Sequence, residues 1–316
     1  MKKRIIDDPV AMYNAMRKVH KNVYEPAELY EQNRLEVKDY IENLRYPGFP
    51  DDELKINGES VGNDHGTAKI QNDVVDFTHQ HDNTIIDIEK WEKLNKQFLN
   101  YHKSLTIYEI INGFASNNYL SIVSGMGELK DKIVVDVGAG TGHVYCSFFR
   151  HPESIQYYLL DPNLRLLHDF FLRMYPCLAL NKLAHILSYA EQLPLRNGFA
   201  DVVLSLAAID HYKDYEKFIY EAYRVLKADG ILFISSHLDM PAKQLLVNVN
   251  GSGKLVRFLE RLTRHLYVRQ NKVGHDDHTF HFENTEPIVK CMKNAGFEIV
   301  DDVIFDSNFY VKGIKR

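Results

Sequence analysis

The residues with the most evident chemistry lie in one stretch, Lys132 to Val144, which reads Lys-Ile-Val-Val-Asp-Val-Gly-Ala-Gly-Thr-Gly-His-Val. An apolar strand in this stretch contains an acid, Asp136, and leads into a turn formed by Gly138, Ala139, Gly140 and Gly142. Glycine has no Cβ, so the backbone of such a turn bends sharply and approaches a ligand closely at the carboxyl end of a strand. The stretch therefore predicts a ligand-binding loop between a strand and a helix.

The spacing of these glycines separates two classes of ligand. A dinucleotide fingerprint, G-x-G-x-x-G, requires glycine at the position of His143. The pyrophosphate of a dinucleotide would gain nothing from the Asp136 carboxylate, whereas a cationic ligand would be attracted to it. A nicotinamide-dependent oxidoreductase is therefore disfavoured. The stretch resembles instead the first motif of the class I S-adenosylmethionine-dependent methyltransferases.

A second acid follows the next predicted strand. Tyr157 to Asp161 reads Tyr-Tyr-Leu-Leu-Asp, and Pro162 comes directly after it. A carboxylate here can accept hydrogen bonds from both ribose hydroxyls of an adenosine bound over the glycine turn. Alternatively, Asp161 caps the helix that the proline opens. The resemblance to methyltransferases implies the ribose-binding role for Asp161.

The segment after the third predicted strand resembles the family's Asp-Ala-x-x-Leu-Pro-Phe motif, whose backbone and acid recognise adenine. Here it reads Tyr-Ala-Glu-Gln-Leu-Pro-Leu from residue 189 to residue 195. Tyr189 stands where the family has an acid, so adenine is expected to contact a backbone carbonyl or Glu191, with Ala190 beside it. Tyr189 itself either packs beside the sheet or stacks on the base.

Two candidate catalytic residues, Asp210 and His211, follow the fourth predicted strand. Ligands of open α/β sheets bind beyond the strand ends, so these side chains are expected to face the transferred methyl group. A histidine can remove a proton from a hydroxyl near neutral pH, and His211 either acts as that base or only shapes the pocket wall.

A third candidate is His281, in the sequence Phe-His-Phe-Glu-Asn-Thr-Glu. This sequence resembles the His-x-Phe-(Ser/Thr) segment that borders the acceptor pocket in many small-molecule methyltransferases. With His275 and His278 it also forms a cluster that could bind zinc, or an ordinary solvated loop. We expect a pocket-lining role and no bound metal.

Alternating strands and helices are predicted from residue 132 onwards, which indicates a doubly wound α/β fold. The final two strands leave no room for a helix between them, so they must form a hairpin that makes the last strand antiparallel. We therefore expect a seven-stranded, mostly parallel sheet. Its predicted strands are 132–137, 156–160, 183–188, 200–206, 230–236, 297–305 and 308–315, with helices at 142–151, 163–175, 214–227 and 285–294.

Two regions lie outside this pattern. Residues 1–124 are predicted to form a helical extension or lid, with a long polar loop at 51–83 that contains at most a short hairpin. Residues 240–284 form an insertion within the methyltransferase domain of residues 125–316. The insertion includes a basic amphipathic helix at 254–267, which is expected to pack on the domain and not to insert into a membrane.

Composition limits the partners. The chain has 316 residues, a net charge of −5 and three scattered cysteines. These values disfavour an extended nucleic-acid surface and suit a reduced, cytoplasmic protein without a membrane span. We expect transfer of a methyl group from S-adenosylmethionine to the oxygen, nitrogen or carbon of a small molecule. A protein acceptor and a cofactor-binding scaffold without activity are the alternatives. The sequence does not indicate the oligomeric state.

Overall fold

The computed structural model describes residues 35–78, 131–140, 155–162, 182–238, 279–305 and 308–316. The predicted helices at 142–151 and 163–175, most of the insertion at 240–284 and most of the helical extension lie outside these ranges. The strands are β1 Arg45–Tyr46, β2 Phe49–Glu53, β3 Lys55–Asn57, β4 Ser60–Asn63, β5 Gly66–Gln71, β6 Val74–Asp76, β7 Ile133–Val137, β8 Gln156–Leu160, β9 Lys182–Leu187, β10 Ala200–Leu206, β11 Leu226–His237, β12 Phe297–Phe305 and β13 Asn308–Lys315. The α-helices are α1 Val37–Tyr40, α2 Tyr215–Val225 and α3 Glu286–Ala295.

Most of the described strands form one mixed sheet, in the order β12-β13-β11-β10-β7-β8-β9-β6-β5-β4-β3, and β1 pairs with β2 in a separate two-stranded sheet. The strands from β11 to β6 run parallel to one another. From β7 the chain moves outward through β8 and β9 and then returns to β10 on the other side of β7. The order of the strands therefore reverses at β7, where open α/β sheets bind their ligands.

The central strands form because their residues suit burial on both faces of a sheet. β7 reads Ile-Val-Val-Asp-Val and β10 reads Ala-Asp-Val-Val-Leu-Ser-Leu, and nearly all of these residues are buried. Long β-branched and apolar runs of this kind are typical of covered parallel strands. The final hairpin is confirmed, since β13 pairs antiparallel with both β12 and β11.

Two amphipathic helices cover part of the sheet and match the predicted helices at 214–227 and 285–294. α2 begins after Asp214, whose side chain accepts a hydrogen bond from the Lys217 N–H at 3.0 Å. α3 ends at Gly296, whose φ of 106° supplies the left-handed conformation of a C-cap. Neither helix approaches the length of a membrane span, and the described part of the chain has no helix that could cross a bilayer.

The prediction of a polar loop at 51–83 was wrong for the part that the structure describes. β3 to β6 form an antiparallel meander, and β6 then pairs in parallel with β9. The sheet therefore has eleven strands among the described residues and not seven. These strands are only three to six residues long, which is too short to show a sustained alternation of apolar and polar residues.

Candidate functional site

The glycine turn after β7 lies against the end of β8. The N–H groups of Gly138 and Ala139 both donate to the Leu160 carbonyl, at 2.9 and 3.2 Å. The Gly140 N–H donates to Oδ2 of Asp161 at 2.9 Å. Gly138 and Gly140 have φ values of 70° and 50°, a region that glycine adopts without strain. The turn and the acid predicted to bind ribose are thus in direct contact.

Asp136 lies beneath this turn, with only 1% of its surface exposed. The Tyr157 hydroxyl donates to its Oδ2 at 2.7 Å. Burial raises the pKa of Asp136 to about 7; the Tyr157 hydrogen bond lowers it, and the charge of Asp161 adds to the rise. A carboxyl group in this state changes its charge near neutral pH, so its charge is sensitive to any cation that binds beside it.

Tyr212 holds the turn in place from the other side. Its buried hydroxyl donates to the Val137 carbonyl at 2.8 Å and lies 2.9 Å from the Ser205 hydroxyl. A Cβ added to Gly138 would lie 2.5 Å from the Ala208 Cβ and 2.9 Å from the Tyr212 oxygen. The backbone at Gly138 therefore approaches the loop after β10 more closely than any other residue type would allow.

We expect the substitution Tyr212→Phe to weaken cofactor binding without removing the ring. Loss of the hydroxyl leaves the buried Val137 carbonyl without this donor, which costs about 1–3 kcal/mol and loosens the glycine turn. The dissociation constant for S-adenosylhomocysteine should rise by about ten-fold, equivalent to 1.4 kcal/mol. Calorimetry measures the affinity and thermal denaturation measures the stability.

Ser205→Ala is the control for that substitution, because it removes the second partner of the Tyr212 hydroxyl but keeps the bond to Val137. Its effect on affinity should be smaller. A Tyr212→Phe protein that is less stable but binds with unchanged affinity would mean that Tyr212 supports the fold alone.

The loop predicted to border adenine follows β9. Tyr189 and Ala190 are each 5% exposed. Oε1 of Glu191 accepts hydrogen bonds from the backbone N–H groups of Lys213 and Asp214, at 2.8 and 3.3 Å. The Glu191 carboxylate is thus directed at the start of α2. Its proposed contact with adenine stays a prediction.

The predicted catalytic residues lie on two segments that contact each other. Asp210 and His211 are in a short 3₁₀ turn after β10, and Asp210 is 4% exposed. The N–H groups of Thr279 and Phe280 both donate to the Asp210 carbonyl, at 2.8 and 3.0 Å. This places the segment that contains the exposed His281 next to the turn. The roles of all three candidates remain proposals.

Some predicted residues lie outside the described ranges. Gly142, the third glycine of the turn, is one of them. His275 and His278 are outside as well, so their proposed cluster is untested. Within the described ranges, no group of three or more His, Cys, Asp or Glu side chains could hold a metal ion.

The sequence interpretation missed two tyrosines that position the site, Tyr157 and Tyr212. Tyr157 was interpreted only as part of a strand, although a buried tyrosine hydroxyl usually has a hydrogen-bond partner. Tyr212 is 8% exposed, and its hydroxyl donates to the Val137 carbonyl directly before the glycine turn. Their partners lie 21 and 75 residues away along the chain, a distance that local patterns do not bridge.

Comparison with known proteins agrees with this geometry. Residues 135–234 match the model of a family described as a methyltransferase domain. The chain is 35% identical over 98 residues to 2-methyl-6-phytyl-1,4-hydroquinone methyltransferase 1 of Oryza sativa subsp. japonica, covering 31% of this chain and 28% of that protein. It is 32% identical over 101 residues to the corresponding enzyme of Spinacia oleracea, covering 32% and 28%. The chain thus matches little more than a quarter of the length of these curated relatives.

The sequence identity to solved structures is lower than the identity to these two enzymes. A methyltransferase from Aquifex aeolicus is 16% identical, with 67% of this chain and 99% of that chain covered and a TM-score of 0.45. An O-methyltransferase family protein from Burkholderia thailandensis is 15% identical, with 72% and 60% covered and a TM-score of 0.46. The matched segment, residues 135–234, contains β7, β8 and the motifs at their ends. In this segment the chain is similar to the class I S-adenosylmethionine-dependent methyltransferases.

Proposed function

We propose that this protein transfers a methyl group from S-adenosylmethionine to a small-molecule acceptor. The observation that supports this most directly is the glycine turn over buried Asp136, in contact with Asp161, inside the segment that matches the family. S-adenosylmethionine is the cofactor of that family. When bound, it supplies a methyl group activated by attachment to a positively charged sulfur.

The residues of the turn fit such a ligand. A Cβ added to Gly140 would meet only the Gly138 carbonyl oxygen, at 4.0 Å, among the described residues. With respect to the residues that the structure describes, this side of the turn is therefore open, whereas the Gly138 side is filled. Asp136 and Asp161 would offer negative charge and hydrogen-bond acceptors to the cationic end and the ribose of the cofactor. Ala190 and Glu191 would border its adenine.

Methyl transfer of this kind is an in-line displacement. A lone pair on the acceptor forms the new bond to the methyl carbon, and the electrons of the broken carbon–sulfur bond remain on sulfur as a neutral thioether. An acceptor hydroxyl must also lose its proton, which His211 would take and release to solvent. An amine acceptor needs this base less. The protein contributes chiefly alignment and exclusion of water.

The acceptor is not identified by the comparisons, because each curated match spans less than a third of this chain. The names of those relatives refer to a hydroquinone. A small-molecule acceptor is supported by these names and by the position of Asp210 and His211 beside the 279–281 segment. The chain has a net charge of −5, which gives nucleic acid little support as an acceptor.

The proposal is tested in two steps. Calorimetry should detect binding of S-adenosylhomocysteine and much weaker binding of NAD; a preference for NAD would contradict the proposal. The protein is then incubated with labelled S-adenosylmethionine and fractionated metabolite pools, and methylated products are identified by mass spectrometry. The Asp161→Ala protein is the control, since it should lose the product together with the ribose contact. Cofactor binding without any product from any pool would indicate a non-catalytic scaffold.

A further inference from the structure

The meander at the amino-terminal side brings an additional acid to the edge of the sheet where the cofactor is proposed to bind. β6 ends at Asp76, which is opposite Leu187 at the end of β9. In the neighbouring strands Ile186 is opposite both Val75 and Leu160, and Leu160 is opposite Val137. The next row across the same four strands, one residue further along each chain segment, consists of Gly138, Asp161, Leu187 and Asp76. Because paired positions share a face, Asp76 is on the same face as Asp161.

The separation suits a nucleoside. Neighbouring strands lie about 4.8 Å apart, so two strand spacings place the backbone of Asp76 about 10 Å from that of Asp161. This is comparable to the distance from the ribose hydroxyls of adenosine to the amino group on its base. A ligand whose ribose contacts Asp161 and whose base points towards β9 would extend in the direction of Asp76.

In the loop after β9 the acid is directed at the start of α2 and not along the sheet edge. Position 189 is tyrosine, where other members of the family have an acid. Glu191, the nearest acid in the loop, accepts two backbone hydrogen bonds at the start of α2. Asp76 is close enough to Tyr189 for its charge to raise the pKa of that hydroxyl, after the larger effect of burial. A negative charge is thus present beside position 189, although it comes from a different part of the chain.

The Asp76 side chain is held firmly. It is 2% exposed, and its Oδ1 accepts hydrogen bonds from the Thr78 N–H and hydroxyl, at 2.9 and 2.5 Å. A carboxylate can accept about four hydrogen bonds, so it can bind a ligand donor in addition to the contacts that fix its orientation. Such a fixed acceptor discriminates strongly between a ligand that donates a proton and one that does not.

We propose that Asp76 recognises the adenine of the cofactor by accepting a hydrogen bond from its exocyclic amino group. This assignment depends on the proposed function, since it places Asp76 in the same cofactor site. It makes the meander part of that site and Asp76 a specificity-determining residue.

The test compares S-adenosylhomocysteine with S-inosylhomocysteine, in which a carbonyl oxygen replaces the amino group. The wild-type protein should bind the adenosine compound at least about ten-fold more tightly, since a charged hydrogen bond is lost and two acceptors face each other in the other complex. The Asn side chain of Asp76→Asn can donate a hydrogen bond as well as accept one. The ratio of the two dissociation constants should therefore fall towards one, or the variant should bind S-inosylhomocysteine more tightly. Calorimetry gives both dissociation constants for each protein.

Asp64→Asn is the matched control, because it makes the same substitution at an exposed acid of the meander, in the turn between β4 and β5. Its preference should equal that of the wild type. A wild-type protein that binds both compounds equally would overturn the assignment, whether or not Asp76→Asn folds. The assignment would also be overturned if a folded Asp76→Asn protein preferred the adenosine compound by the same factor as the wild type. A wild type that binds neither compound would instead contradict the proposed function.

Discussion

Replacing Asp136 with Asn should weaken binding of S-adenosylhomocysteine by about 100-fold at pH 8 and should remove the pH dependence of binding. The positively charged α-ammonium group of S-adenosylhomocysteine is attracted to the ionised carboxylate, and a buried charge pair with hydrogen bonds contributes about 3 kcal/mol. The pKa of Asp136 is about 7 because of its burial. In the wild type, affinity should therefore be constant above pH 7, fall by up to about ten-fold per unit as the pH decreases from 7, and level off about 100-fold lower.

The stability of the ligand-free protein should show the opposite trend. The pKa of Asp136 is about 7 in the folded state, against an ordinary value of 3.8 for a solvated aspartate, so the folded state binds the proton more tightly. The contribution of this group to stability is complete below about pH 4 and is lost as the pH rises through 7. This loss amounts to about 4 kcal/mol, and the Asp136→Asn protein should not show it.

Urea denaturation between pH 4 and pH 8.5, together with calorimetry over the same range, checks both trends. Asp201→Asn is a suitable control, because Asp201 lies at the opposite end of the sheet from the glycine turn. Burial raises its pKa, but the hydrogen bonds from Lys227 and the Ile133 N–H outweigh that effect and hold the pKa below its usual value. This control should lower stability above pH 4 and leave cofactor affinity unchanged. Cofactor affinity that does not vary with pH in the wild type would contradict the role of Asp136.

The second large effect concerns two neighbouring glycines that should respond differently to the same substitution. Gly138→Ala introduces a methyl group 2.5 Å from the Ala208 Cβ at a φ of 70°. Crowding and the left-handed backbone together should lower the free energy of unfolding by about 2–5 kcal/mol. Gly140→Ala meets nothing closer than 4.0 Å among the described residues, so it should lower stability by only about 1–2 kcal/mol, the cost of its φ of 50°.

For cofactor binding the order of the two substitutions should be reversed, with Gly140→Ala the more harmful. The methyl group of Gly140→Ala would occupy the open side of the turn, where the cofactor is proposed to approach, and should reduce affinity for S-adenosylhomocysteine by more than ten-fold in a protein that remains folded. Thermal denaturation and calorimetry on both variants measure the two quantities. A Gly140→Ala protein that binds normally would contradict the proposed position of the ligand, and a fully stable Gly138→Ala protein would contradict the close packing.

The central sheet could be predicted because each of its strands is specified by its own residues. Ile133–Val137 and Ala200–Leu206 are continuous apolar runs, and turn residues mark their ends. The meander could not be predicted in the same way. β3 is three residues long and fully exposed, so its pairing depends on a neighbour and not on a local pattern.

The residues of the candidate site form the same two groups: some are indicated by the local sequence, and others depend on a distant partner. Asp136, Gly138 and Asp161 could be proposed from the sequence because each lies in, or directly after, a strand of recognisable sequence. The contribution of Tyr212 arises only when the loop after β10 folds back onto the turn after β7. Asp76 had a weak local indication, since Val-Val-Asp occurs both at 74–76 and at 134–136. That repetition points to the site only once β6 is known to pair with β9 in parallel, because this pairing brings Asp76 to the same edge of the sheet as Asp161.

The pairing of β6 with β9 also crosses the boundary that the sequence suggested at residue 124. β9 would otherwise present a row of unpaired backbone N–H and C=O groups, which is a template for association with other chains. The meander covers the last three residues of this edge and ends the sheet in the short, exposed strand β3. We therefore expect the segment that precedes residue 124 to limit association of the sheet with other chains, and we expect the two parts to unfold together.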